Sequence, residues 1–208
     1  MNYTHIIFDI DGTLLDTEYA VLHSLQKTIR QVTGADMACE QLIFALGIPG
    51  EEALKQLSIP DIPQTHKLWI RYLNELHDTV RLFDGIEPVL DTLSRHGLHL
   101  GIVTSQRRFH YQGDLGSQPI ARHFQTVVCS DDTKEHKPFP EPLLYYQKQA
   151  GAAPEQMLYV GDSKYDMACA EAAHVDFALA GWGSRGRVDA SCVLHTPADL
   201  LKKAGCPA

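Results

Sequence analysis

Short, uninterrupted apolar runs recur along this chain, with helical patterns between them, and that alternation limits the fold more than any other feature. His5-Ile6-Ile7-Phe8 is β-branched, too short for a helix and stops at Asp9, so it reads as a buried strand. Leu98 to Thr104, Thr126 to Cys129, Met157 to Val160 and Phe177 to Ala180 read alike, and Cys192-Val193-Leu194 fits a short edge strand. Helical patterns at Glu87 to Arg95 and Glu141 to Ala150 are followed by Gly97 and Gly151, residues suited to stopping a helix. Buried strands joined through helices need a parallel sheet covered on both faces. The fold class expected is α/β, a doubly wound parallel sheet.

Residues 16–81 break the alternation. Val21, Leu22, Leu25, Ile29 and Val32 repeat at helical spacing, as do Leu68, Trp69, Tyr72, Leu73, Leu76 and Val80. Gly34, Gly47-Ile48-Pro49-Gly50 and Ile59-Pro60-Asp61-Ile62-Pro63 read as turns between them. The chain therefore divides into a core of residues 1–15 and 82–208 and a small helical insertion at 16–81, hinged at Asp16-Thr17 and at Arg81-Leu82-Phe83-Asp84-Gly85.

Charge and composition narrow the partners. Lys and Arg number 18 against 26 Asp and Glu, a net charge of −8, with no basic run to follow a phosphate backbone, so nucleic acid is not expected. No apolar stretch approaches the roughly 20 residues that span a bilayer, and no membrane partner is expected. The first residues lack a basic segment ahead of an apolar one, and the chain reads as cytoplasmic. Five cysteines without a C-x-x-C pair read as reduced thiols, and His96 and His99 lack the companions of a zinc site. The sequence leaves the oligomeric state open.

Ligands of a doubly wound sheet bind beyond the carboxyl ends of its strands. Strand one there runs into Asp9-Ile10-Asp11-Gly12-Thr13, strand two into Thr104-Ser105, strand three into a loop with Lys137-Pro138, and strand four into Gly161-Asp162-Ser163-Lys164-Tyr165-Asp166. Asp9 and Asp11, two apart on extended chain, project to one side. Asp162 and Asp166, four apart, fit one face of a helix's first turn. Carboxylates converging on one rim repel by about 4 kcal/mol per close pair at an effective dielectric near 20, unless a hard cation such as magnesium sits among them. Each fragment alone is commonly a turn or a helix cap, and their agreement at four strand ends favours a functional site.

Phe8-Asp9-Ile10-Asp11-Gly12-Thr13-Leu14-Leu15-Asp16-Thr17, Ile102-Val103-Thr104-Ser105, Lys137-Pro138-Phe139-Pro140-Glu141-Pro142 and Val160-Gly161-Asp162-Ser163-Lys164-Tyr165-Asp166 together resemble the four signatures of the haloacid dehalogenase superfamily of aspartate-nucleophile phosphohydrolases. The resemblance covers essentially the whole chain and is strongest to phosphoglycolate phosphatases and related small-molecule phosphatases. It implies that residues 16–81 are a helical cap and that a small phosphorylated metabolite, phosphoglycolate-like, is hydrolysed with Mg2+ through an aspartyl-phosphate. By the same resemblance Asp9 is the nucleophile and Asp11 the acid and base. Thr104 and Lys137 hold the phosphoryl group, with the amides of Ile10 and Ser105 as further donors. Asp162 and Asp9, with the Asp11 carbonyl, take the metal, while Asp166 ligates it or orients Lys137.

The chain departs from the family at His174, where glycine commonly ends the helix; histidine tolerates the left-handed conformation better than most residues. Arg107-Arg108 reads as a solvated helix face rather than a substrate contact. Among rival activities, dehalogenation fits poorly because such enzymes lack an acid where Asp11 stands. A β-phosphoglucomutase-like mutase shares the core, yet its cap histidine is replaced here by Val21. Inorganic pyrophosphate hydrolysis remains a rival. A non-catalytic binding relative would be expected to have lost Asp9, Asp11, Lys137 or Asp162, and all four are present.

Overall fold

The computed structural model describes residues 3–185 and 188–206. In chain order its strands are β1 (His5–Phe8), β2 (Leu15–Asp16), β3 (Arg81–Leu82), β4 (His99–Val103), β5 (Phe124–Val128), β6 (Met157–Gly161), β7 (Asp176–Ala180) and β8 (Val193–Leu194). Its helices are α1 (Glu18–Thr33), α2 (Cys39–Leu42), α3 (Gly50–Gln56), α4 (Ile62–Glu75), α5 (Ile86–Arg95), α6 (Arg108–Gly113), α7 (Glu141–Ala150), α8 (Lys164–Ala172) and α9 (Asp199–Lys203). Six strands form one sheet in the order β5-β4-β1-β6-β7-β8, and every pair in it is parallel. The doubly wound α/β architecture expected from the alternation is present, with strand ends displaced by one or two residues.

Burial follows the sequence logic. β1 alternates its apolar side chains between two cores: Ile6 and Phe8 face the layer of α5 and α9, while Ile7 faces that of α7 and α8. Both faces of the sheet are covered by apolar side chains, so the central strands carry continuous apolar runs. Because β1 sits between β4 and β6, the chain leaves it to opposite sides, and a crevice opens at the carboxyl end of β1.

Between β2 and β3, helices α1 to α4 enclose a third hydrophobic cluster with Leu25, Leu42, Leu54 and Trp69 at its centre. The Trp69 indole donates to Ser24 Oγ at 2.9 Å, satisfying the one polar group this large side chain brings inside. Two features differ from the sequence reading. The two ends of this segment pair as an antiparallel ribbon, Leu15 with Leu82 and Asp16 with Arg81, too short to leave a periodic signal. Helix α4 stops at Glu75, so Val80 lies outside it, in the stretch leading into β3. No helix among the described residues is long and apolar enough to cross a membrane. The five cysteines are free.

Candidate active site

The loop after β1 folds tightly on itself. Leu14 and Leu15 amides donate to the Ile10 carbonyl at 2.8 and 2.9 Å, and the Gly12 amide donates to the Leu15 carbonyl at 2.8 Å. Gly12 has φ +76°, and a Cβ there would stand 2.4 Å from Asp162 Oδ2. Glycine is thus required both by conformation and by the approach of Asp162. At the end of β6 Gly161 meets a similar limit, since a Cβ on it would lie 2.5 Å from the Asp166 Cβ.

Asp9, Asp162 and Asp166 are buried, and each offers an oxygen within 4.8 Å of the others. Asp162 accepts from Thr13 Oγ1 at 3.3 Å. It precedes α8 instead of lying on it, so the helical spacing expected for Asp162 and Asp166 does not describe their meeting. Ser163 caps α8, and its amide donates to Asp166 Oδ2 at 3.1 Å while the Asp166 amide donates to Ser163 Oγ at 3.2 Å. The other Asp166 oxygen lies 2.7 Å from Lys137 Nζ and 2.8 Å from Tyr159 Oη. Lys137 comes in from the loop after β5, fully buried, with its Nζ also 2.9 Å from Asp9 Oδ1 and 3.3 Å from Tyr159 Oη. The contact with Asp9 is an ion pair between two buried side chains.

Burial is the main influence on these groups. It raises the Asp9 carboxyl to about 7, with Lys137 opposing the shift and Asp166 and Asp11 adding to it. Asp162 is pushed well up, first by burial and then by Asp166 and Asp9. Burial works against the Lys137 charge, but Asp166 and Asp9 outweigh it and hold the ammonium protonated. The cluster thus carries more carboxylates than its one buried cation neutralises, and a hard divalent cation fits that donor set.

Asp11 stands apart from the cluster. Its Oδ2 accepts from Gln106 Nε2 at 2.9 Å, and burial raises its carboxyl above the usual range. Thr104 lies buried at the end of β4, where its Oγ1 accepts from the Gln106 amide at 3.1 Å. Ser105 Oγ donates to the Gly47 carbonyl at 3.0 Å, tying the β4 end to the turn between α2 and α3. Ile10 is wholly buried in the β1 loop. Arg107 extends to Glu51 of α3 at 2.8 Å. Arg108 departs from the expected solvated face: it is half-buried, paired with Asp132, and donates to the Val127 carbonyl at 2.8 Å. His174 has φ +58°, the left-handed conformation its position after α8 suggested.

Asp9 and Asp11 open onto a cavity of about 730 Å³ roofed by the helical segment, including the 46–50 turn, Trp69 and Leu73. Gln106 and Tyr159 were not singled out by the sequence. A glutamine after a strand end carries no motif, and a tyrosine within an apolar run reads as packing. Only the Thr-Ser-Gln placement beside the Asp-x-Asp loop hints at the former.

Residues 6–180 match the family model described as haloacid dehalogenase-like hydrolase. The pyrophosphatase PpaX of Bacillus velezensis is 29% identical over 208 residues, 97% of this chain and 96% of the relative. The phosphoglycolate phosphatase of Salmonella typhimurium is 33% identical over 198 residues, 83% of this chain and 79% of the relative. A solved structure from Lactobacillus plantarum, provisionally named a phosphoglycolate phosphatase, superposes with a TM-score of 0.89 at 30% identity, over 97% of this chain and 99% of that one. The chain is therefore an enzyme of the haloacid dehalogenase-like hydrolase family, among its phosphatases.

Proposed function

We propose that the protein is a magnesium-dependent phosphomonoester hydrolase working through an aspartyl-phosphate on Asp9. The observation that carries this reading is the buried meeting of Asp9 with Lys137, Asp162 and Asp166 at the mouth of the β1 loop. Asp9 and Asp162, with the carbonyl of Asp11, would hold Mg2+, which when bound supplies positive charge for the phosphoryl oxygens and for the two carboxylates. Asp166 has both oxygens committed to Lys137, Tyr159 and Ser163, which suits it to orient the ammonium.

An Asp9 oxygen attacks phosphorus and the P–O bond to the alcohol breaks. Asp11 donates a proton to the departing oxygen, a role suited to a carboxyl whose burial keeps it protonated at higher pH than usual. Ionised Asp11 then takes a proton from water, which attacks phosphorus and releases phosphate and Asp9. Lys137 stabilises charge on the transferring oxygens, with Thr104 and the amides of Ile10 and Ser105 as donors. Residues 16–81 act as a cap that shields this chemistry from bulk water. The names of the relatives divide between phosphoglycolate and pyrophosphate, so both belong in any substrate panel.

Phosphate release from an aryl phosphate with and without Mg2+ tests the reading. Activity with the metal, and its loss by at least 10³-fold in Asp9→Asn, is expected from removal of the nucleophile. Turnover of Asp9→Asn within tenfold of wild type would refute the assignment. A mutase would instead accumulate sugar 6-phosphate from the 1-phosphate plus a trace of bisphosphate, without phosphate release.

A further inference from the structure

The cavity is far larger than phosphoglycolate or pyrophosphate requires, and the charges on its wall are largely spent on one another. Its volume, about 730 Å³, lies within the range that encloses drug-sized ligands, roughly 300–1,000 Å³. Beyond Asp9 and Asp11 the lining carries Glu51, Glu52, Asp114 and Asp131. These charges are largely paired with one another: Glu51 with Arg107 at 2.8 Å, Glu52 with Lys55 at 3.4 Å and Asp114 with His77 at 3.6 Å, while Lys134 is exposed. A carboxylate or second phosphate on the leaving group would find no buried, unpaired Lys or Arg among the described lining residues to receive it.

The lining also offers an apolar face and an unused acceptor. Ile70, Leu73 and Phe109 border the same space, and Phe109 is 79% exposed, an unusual setting for a large aromatic side chain. Gln106 lines the cavity, and because its Nε2 donates to Asp11, its Oε1 is directed elsewhere. That oxygen is buried and has no hydrogen-bond partner among the described residues. A buried acceptor beside the proton-donating carboxyl is completed by a donor next to the scissile oxygen.

Resting on the phosphatase reading, we propose that this site takes phosphate monoesters of an uncharged alcohol of nucleoside size. The alcohol bears a hydroxyl or amino donor near the ester oxygen and an apolar face further out. Gln106 is the residue that reads the donor, and Phe109 with Leu73 receives the apolar face.

The full chain with Mg2+ would be assayed for phosphate release from 4-nitrophenyl phosphate, adenosine 5′-monophosphate, its 2′,3′-dideoxy analogue, phosphoglycolate and pyrophosphate. The hydroxylated nucleotide is expected to exceed phosphoglycolate and pyrophosphate at least tenfold in kcat/KM and to exceed its dideoxy analogue several-fold. Gln106→Met is expected to lower kcat on all esters through Asp11 and to erase the preference for the hydroxylated nucleotide. Phosphoglycolate or pyrophosphate as the best substrate overturns the substrate class, and an unchanged hydroxyl preference in Gln106→Met overturns the role of Gln106. If no ester, the aryl phosphate included, releases phosphate, the phosphatase reading fails. Calorimetric binding of the same compounds to Asp9→Asn protein then decides the cavity preference alone, with tighter phosphoglycolate than nucleotide counting against it.

Discussion

Lys137 Nζ stands 2.9 Å from Asp9 Oδ1 with both side chains almost wholly buried, so the proposed nucleophile and the charge that would steady its target are held together before substrate enters. The pair is not independent, because the same ammonium lies 2.7 Å from Asp166. Removing one member of a buried charge set leaves the others uncompensated. Lys137→Ala should therefore reduce kcat by about 10²–10³, the scale of losing one charge-stabilising donor, and also lower stability. Single-turnover kinetics on folded variant, checked by circular dichroism, would show it; a rise in KM at constant kcat would assign Lys137 to docking alone.

Asp162 meets Thr13 and approaches Asp9 without an ammonium of its own, which makes it the carboxylate most dependent on a cation. Asp162→Asn should raise the Mg2+ concentration for half-maximal activity at least tenfold, with partial recovery at high metal. A metal titration of activity that matches wild type would remove Asp162 from the ligand set.

The metal-free protein should become less stable as pH rises from about 4 to about 7. Asp9 has a folded pKa raised to about 7 and an unfolded value near 3.8, so within that window the folded chain holds the proton that the unfolded chain has lost. Unfolding then releases protons and stability falls with pH. Burial shifts Asp11 and Asp162 in the same direction. His5, His66 and His99, lowered by burial, act oppositely near their ordinary pKa, but each is partly open to water and contributes less. Melting curves in chelator across this range should give a negative slope that flattens in Asp9→Asn and in excess Mg2+. A slope that persists unchanged in both would place its origin outside this cluster.

Arg107 and Glu51 join the core to the roof at 2.8 Å, both about half exposed. An exposed pair of this kind contributes about 0.2–1 kcal/mol. A double-mutant cycle with Arg107→Ala and Glu51→Ala, read by thermal melting, should return a coupling in that range at low salt that vanishes near 1 M salt. A coupling insensitive to salt would point to packing between the two side chains.

What the sequence determined by itself is what local chemistry encodes. Apolar runs ending at Asp9, Thr104 and Gly161 specify buried parallel strands, because an interior strand has no face on which a polar residue is tolerated. The doubly wound arrangement then obliges their carboxyl ends to share one rim, so Asp9, Asp11, Thr104, Lys137 and Asp162 were legible as a group before any coordinate. Tertiary structure decided which of them touch. That Asp166 meets Lys137, that Asp162 meets Thr13, and that Gln106 engages Asp11 depend on side chains brought together across 29, 149 and 95 positions of chain. No periodicity records such pairings, because they are fixed by strand order and loop path rather than by neighbouring residues. The β2–β3 ribbon is the same case, since two-residue strands take their stability from the helices that Leu15 and Leu82 connect rather than from their own propensity. The size and lining of the cavity likewise belong to the tertiary structure: Glu51, Gln106 and Asp114 are unremarkable in sequence and share one space only because the helical segment lies over β1.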